Sequence, residues 1–299
     1  GVYNGIGRTT IPFYIIASGL IFNMILDPLF IFGLGNWEGM GVTGAAIATV
    51  ISQILVALLF VLKMKRKNGI LNRFPFFIRL NKKYTKRIFQ LGTPIAAMNC
   101  LMALISLYIA RIASFYGGYL GVMAQTTGSQ IEGITWNTTN GFSTALGTFV
   151  AQNFAANKSD RTGKAYRYTL ITLLSLGAVV TFAFIFYGQE IFGLFVPEPD
   201  AKIAGGTYLF IVAFCQIFMM LESTTFGMWN GYGKTMPPAI ISIVLNSVRI
   251  PLALLLASRM GINGVWIAIT VSAIIKGILS PTLFFFYRKK LKKTSENKQ

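Results

Sequence analysis

Five charged side chains fall inside long apolar runs of this 299-residue chain: Asp27, Glu132, Glu222, Arg249 and Lys276. An ionised group at membrane depth costs about 2.5 to 3.5 kcal/mol even on insertion scales, so each must face protein or water and each is a candidate for function. Asp27 has the richest company. Asn23 stands four residues before it, on the same helix face. Pro28 has no N–H to give the Met24 carbonyl, which frees a third oxygen one turn back and makes Pro28 a natural bending point. With the Thr49 hydroxyl on the next helix, these groups suit a proton or a small hard cation such as Na+ at Asp27 and Asn23. No resident metal or cofactor is expected: the chain has no His, and Cys100 and Cys215 stand singly in apolar runs.

Glu132 lies in the most polar of these runs, with Gln125, Trp136, Asn137 and Asn140. No lipid-facing helix would carry so much polarity, and two readings stand: a substrate cavity wall with Glu132 as its charged group, or a buried Glu132 paired with Arg249. Glu222 offers a further carboxylate to the same half of the chain. Arg249 either bridges to Glu132 or Glu222 or serves as an electrostatic switch, and Lys276 snorkels toward the inner membrane face. Trp136, Trp229, Tyr108 and Phe142 either stack on an aromatic or cationic drug or simply pack and anchor.

The elements that position these residues are duplicated. Asn4-Gly5-x-Gly7-Arg8-Thr9-x-x-Pro12 returns as Asn230-Gly231-x-Gly233-Lys234-Thr235-x-x-Pro238, followed by Asn23/Pro28 and Asn246/Pro251. Gly41-x-x-Gly44-x-x-Ile47-Ala48-x-x-x-Ser52 likewise matches Gly261-x-x-Gly264-x-x-Ile267-Ala268-x-x-x-Ser272. A turn, a helix, a loop and a second helix therefore repeat as a unit, the construction of many secondary transporters.

With 54% hydrophobic and only 12% charged residues, the chain is a membrane protein. Runs of about 20 apolar residues predict eight spans, at 12–32, 42–62, 88–110, 120–150, 168–187, 203–229, 237–257 and 262–287. An even number of spans puts both ends on one side, and that side holds twenty-two Lys and Arg against three opposite. Residue 1 and the C-terminus are thereby expected in the cytoplasm, with the protein in the inner membrane. The net charge of +18 is a topology signal beside anionic lipid, not a nucleic-acid surface. The organisation read is 1–62 as two helices of a first lobe, 63–87 as a basic cytoplasmic linker, 88–287 as a six-helix second lobe and 288–299 as a basic tail. Completing the duplication would place four more helices, on the order of 130 residues, ahead of Gly1.

The repeated turn, Asn23-Met-Ile-Leu-Asp27-Pro28, the Gly41 to Ser52 run and Leu91-Gly92-Thr93-Pro94 resemble the multidrug and toxic compound extrusion (MATE) transporters. The resemblance covers essentially the whole chain. It implies an all-α polytopic membrane protein holding the fifth to twelfth helices of a twelve-helix fold, two lobes related by a pseudo-two-fold axis. It further implies that Asn23, Asp27 and Thr49 belong to a cation-coupling site shared with an Asp of the first helix. Some members also carry acids in the third and sixth of the spans present here. Met102 stands near the first of those positions, and Glu222 lies about one turn from the second.

The function expected is secondary active efflux of organic cations or drugs in exchange for H+ or Na+, by a protein that is monomeric when whole and takes no nucleic acid. A lipid or lipid-linked oligosaccharide flippase of the same superfamily is the alternative within transport. Flippases tend to line the cavity with several Arg or Lys, whereas three acids face two bases here. A membrane-embedded enzyme or receptor is the alternative outside transport, and the absence of His and of a nucleophile motif argues against the enzyme.

Overall fold

The computed structural model describes residues 2–5, 7–34, 37–65 and 81–296. Most of the basic linker and the end of the tail lie outside them. The chain divides into two compact units, Gly1–Asn81 and Lys82–Gln299.

The first unit contains α1 (Val2–Gly5), α2 (Thr10–Phe32) and α3 (Gly41–Lys65). The repeated turn ends α1 as a Schellman motif. Arg8 N–H bonds the Tyr3 carbonyl at 2.9 Å, Gly7 N–H bonds the Asn4 carbonyl at 3.0 Å, and Gly7 takes φ 78°. Two-residue strands, β1 (Gly33–Leu34) and β2 (Trp37–Glu38), pair antiparallel in the loop between α2 and α3. They account for a loop longer than its copy, thirteen residues from Pro28 to Gly41 against ten from Pro251 to Gly261. Apart from this hairpin the described residues show the all-α architecture that the apolar runs predict.

The second unit is built from α4 (Lys82–Ala155), α5 (Ser159–Gly193), α6 (Pro199–Ala213), α7 (Gln216–Gly231), α8 (Met236–Met260) and α9 (Ile262–Glu296). At 1.5 Å per residue a straight α4 would run roughly 110 Å, several bilayer cores. Gly118, at φ 57° and ψ −151°, breaks it into two arms that match the third and fourth expected spans. By length and composition, six helices among the described residues can cross a membrane, or seven with α6 and α7 counted as one bent span. The second arm of α4 is long enough to cross but is the most polar of the expected spans, so apolar length accounts for seven of the expected eight. The Schellman turn recurs at the end of α7, where Lys234 N–H bonds Trp229 O at 3.0 Å and Gly233 N–H bonds Asn230 O at 2.9 Å.

The core of this unit joins Ile105, Ile109 and Ile112 of the first arm to Ile131, Tyr208, Leu209 and Trp266. Toward the other end a smaller cluster packs Leu146, Val150, Met228, Trp229 and Phe284. Phe182, Phe186, Leu255 and Phe285 are largely exposed, an outer surface suited to hydrocarbon rather than water.

One expected straight span is not straight. The run at 203–229 forms α6 and α7, bent by 53° at Phe214 and Cys215. Neither Pro nor Gly stands at the break. Its cause is the diversion of backbone carbonyls to side chains and tighter backbone bonds, one of the standard sources of a kink. Thr181 Oγ1 of α5 donates to Ala213 O at 3.1 Å, Thr270 Oγ1 of α9 to Ile211 O at 3.2 Å, and Gln216 Nε2 to Val212 O at 3.2 Å. Non-helical backbone at membrane depth persists only when its polar groups are met in this way.

Candidate functional site

Glu132, on the second arm of α4, sits against this break. Its Oε2 accepts the Tyr208 hydroxyl at 2.6 Å and its Oε1 accepts Gln216 Nε2 at 2.7 Å. Tyr208 belongs to α6 and Gln216 opens α7, so one carboxylate is fastened to both sides of the bend. The Tyr208 ring is set edge-on to Trp266 with centroids 5.4 Å apart, which fixes the hydroxyl's direction. Glu132 makes no ion pair with Arg249, whose Nε instead donates to Ser272 Oγ at 2.9 Å.

A cavity of about 440 Å³ opens elsewhere in this unit, among α4, α7, α8 and α9. Trp136, Asn140 and Glu222 line it, as do Met98, Asn99, Met102, Phe226, Ser242, Asn246 and Lys276. Glu132, Gln125 and Asn137 do not; of the six residues expected on a substrate cavity, three come together and three stand apart. On its wall Lys276 Nζ lies 3.3 Å from Glu222 Oε2, both side chains more than nine-tenths buried. The Ser242 hydroxyl donates to Glu222 Oε1 at 3.3 Å.

Lys276 is thus the partner of Glu222, and the snorkelling expected of it gives way to burial. The reason is how closely α7 and α9 approach. A Cβ on Gly277 would run into the Phe218 carbonyl, so the helices meet at that level and Lys276 is carried inward beside Glu222. Arg249, expected to reach Glu132 or Glu222, is held by α9 through Ser272 instead.

In the first unit, Asn23 Nδ2 donates to Asp27 Oδ1 at 3.1 Å, both residues half-buried on α2. Among the described residues no ion pair involves Asp27. The Thr49 hydroxyl turns back to the Ala45 carbonyl of its own helix at 2.9 Å, the usual resort of a threonine in an apolar helix. The structure accordingly joins Asn23 to Asp27 and leaves Thr49 bonded within α3. The second copy reverses the chemistry: Ile250 precedes Pro251 where Asp27 precedes Pro28, and Arg249 stands one residue earlier.

The MatE family model matches residues 94–255, more than half of the chain. The chain belongs to the MatE family. It is 26% identical over 275 residues to a protein named FAD transporter from Shewanella oneidensis, covering 91% of this chain and 60% of that one. It is 27% identical over 296 residues to the probable multidrug resistance protein NorM of Thermotoga maritima, covering 97% of this chain and 62% of that one. The chain therefore spans about three fifths of the length of the relatives it matches. A crystal structure of a MATE protein in the straight conformation shares the fold, with TM-score 0.86 and 22% identity over 98% of this chain and 66% of that one. One relative and solved structures of this fold are themselves named transporters, and the apolar spans of this chain agree with a membrane setting.

Within this MatE fold, several residues had no motif to announce them. Tyr208 reads as one aromatic among many, and Met98 as one apolar residue among many. Two signals were available: Gln216, a lone amide deep in an apolar run, and Asn246, the repeat counterpart of Asn23.

Proposed function

We propose that the protein is a secondary active exporter of organic cations or other drugs, driven by inward movement of H+ at Asp27 in the cytoplasmic membrane, with its C-terminus in the cytoplasm. The observation that carries the coupling half of this reading is Asp27 itself. It is a half-buried carboxylate on a membrane-spanning helix, its side-chain bond coming from an amide, with no ion pair to a basic residue among the described residues. Such a group stays available to a mobile cation. Asn23 steadies the carboxylate on α2, while the Thr49 hydroxyl is turned to the Ala45 carbonyl rather than toward Asp27; a proton needs one oxygen and Na+ needs several, which favours H+ over Na+.

Neutralising Asp27 from outside and releasing the proton inside moves one positive charge down the membrane potential, a gain of about 2.3 kcal/mol per 100 mV. That sustains a drug gradient of some tens-fold for each proton exchanged. Pro28, next to the carboxylate, is the element proposed to change the exposure of Asp27 between the two states.

That the cargo is a drug-sized organic molecule is supported by the aromatic, thioether and amide cavity of the second unit and by the multidrug names of relatives, neither of which singles out a cation. The relative named for FAD raises a phosphate-bearing cargo. Phosphate calls for free cations, and Lys276 is already paired with Glu222.

The test is efflux from vesicles under an imposed proton or sodium gradient. A pH gradient should drive dye out, Asp27→Asn should abolish coupled efflux without loss of insertion, and FAD should neither be carried nor compete. Undiminished gradient-driven extrusion by the Asp27→Asn protein would remove Asp27 from the mechanism.

A further inference from the structure

The cavity among α4, α7, α8 and α9 already contains a cation. Lys276 Nζ sits 3.3 Å from Glu222 Oε2, where the positive nitrogen of a bound organic cation would otherwise seek a carboxylate. The pair makes that wall neutral at short range. A cationic ligand gains little there, since attraction to Glu222 is opposed by Lys276, and entering the cavity still costs it hydration.

What the rest of the wall offers is of a different kind. Trp136 and Phe226 present ring surface, Met98 and Met102 polarisable thioethers, and Asn140 and Asn246 amides. Asn246 is almost completely buried, its Nδ2 turned to the Met102 sulfur, and its Oδ1 has no hydrogen-bond partner in the protein. A buried acceptor left open in this way is answered by a ligand N–H or O–H. The volume of about 440 Å³ is that of a site for one drug-sized molecule.

We propose that Lys276 sets the charge preference of this cavity by occupying the place of a ligand cation beside Glu222, so that the cavity takes uncharged aromatic compounds bearing a hydrogen-bond donor and disfavours organic cations. The inference rests on the export reading only for its physiological meaning. Within that reading it narrows the cargo at this cavity to neutral, planar, donor-bearing molecules. The donor meets Asn246 and the ring lies among Trp136, Phe226 and the methionines.

Binding measured by titration calorimetry on the purified protein in detergent micelles tests it, with three compounds of one ring shape. These are uncharged acridone with its N–H, cationic 10-methylacridinium and anionic acridine-9-carboxylate. The unsubstituted protein should bind acridone about tenfold tighter than the cation, a difference readily resolved in dissociation constants. Lys276→Met, which exposes Glu222, should bring the cation to the top of the order, whereas Glu222→Gln, which exposes Lys276, should favour the anion. Asn246→Ala should weaken acridone about fivefold or more by removing the acceptor.

Cation binding tighter than acridone in the unsubstituted protein overturns the proposal, as does an unchanged order in whichever single variants fold. Should neither variant fold, the order in the unsubstituted protein decides alone. A protein that shows this order yet moves nothing under any gradient would sink the export reading and leave the charge preference standing.

Discussion

Glu132 and Gln216 meet at 2.7 Å across a break in a membrane span, the carboxylate on α4 accepting from the first residue of α7 while Tyr208 of α6 holds its other oxygen. Two helices that bend away from each other by 53° are thereby tied to one point on a third. The bend exposes backbone that hydrocarbon would not tolerate, and the polar network around Glu132 lies where those groups must be met.

Replacing Glu132 by Ala should leave the Tyr208 hydroxyl without an acceptor and Gln216 with only the Val212 carbonyl. Bonds to a charged group contribute about 1.5 to 3 kcal/mol each, so a loss of about 3 kcal/mol is expected. Glu132→Gln keeps an oxygen for Tyr208 and should recover part of it. Thermal unfolding in detergent of both variants checks the order; a Glu132→Ala protein as stable as the parent would show that the bend holds without its strap.

The carbonyls freed by the break make a second, independent expectation. Thr181→Val orphans Ala213 O, and Thr270→Val orphans Ile211 O, each at a cost of about 1 to 2 kcal/mol. Thr172→Val is the control, because its hydroxyl only returns to Tyr168 O in a continuous helix. Hydrogen exchange at amides 214–219 should quicken in the first two variants and not in the control.

What the sequence discloses here follows the range of the physical cause. The Asn-Gly-x-Gly turn is legible because a positive φ is a demand made on one residue, and both copies fold to the same pair of hydrogen bonds at Gly7 and Gly233. The spans are legible because apolar length is a property of a contiguous run. The break at Phe214 and Cys215 is not, since its causes include Thr181 and Thr270, residues remote in sequence that arrive only through packing. The same holds for charge pairing. Five intramembrane charges are plain in the sequence, but whether Glu222 takes Arg249 or Lys276 depends on which helix faces come together, and Gly277 against Phe218 decides that. Asp27 beside Asn23 is readable because both sit on one helix, four residues apart; Thr49, offered as a further oxygen from the next helix, depends on how two helices face each other and bonds within α3.

The glycines of the repeat separate two kinds of constraint, and substitution should tell them apart. Gly233 has φ 67° and nearly open space around it, its nearest neighbour being the Arg87 side chain at 3.7 Å, so Gly233→Ala meets backbone strain alone, about 1 kcal/mol. Gly264 has ordinary backbone dihedrals but lies so close to α8 that a Cβ would strike the Leu256 carbonyl, so Gly264→Ala must push α8 and α9 apart. Overpacking of that kind costs about 1 to 3 kcal/mol and falls on the helix pair carrying Asn246 and Lys276. Gly44 stands in the same relation to the Phe30 carbonyl of α2, on the pair carrying Asp27. Gly264→Ala is expected to lower the melting temperature and weaken acridone binding together, and Gly233→Ala to lower the melting temperature slightly with binding intact. Equal loss of binding in the two would mean that the spacing of α8 and α9 is not what shapes the cavity.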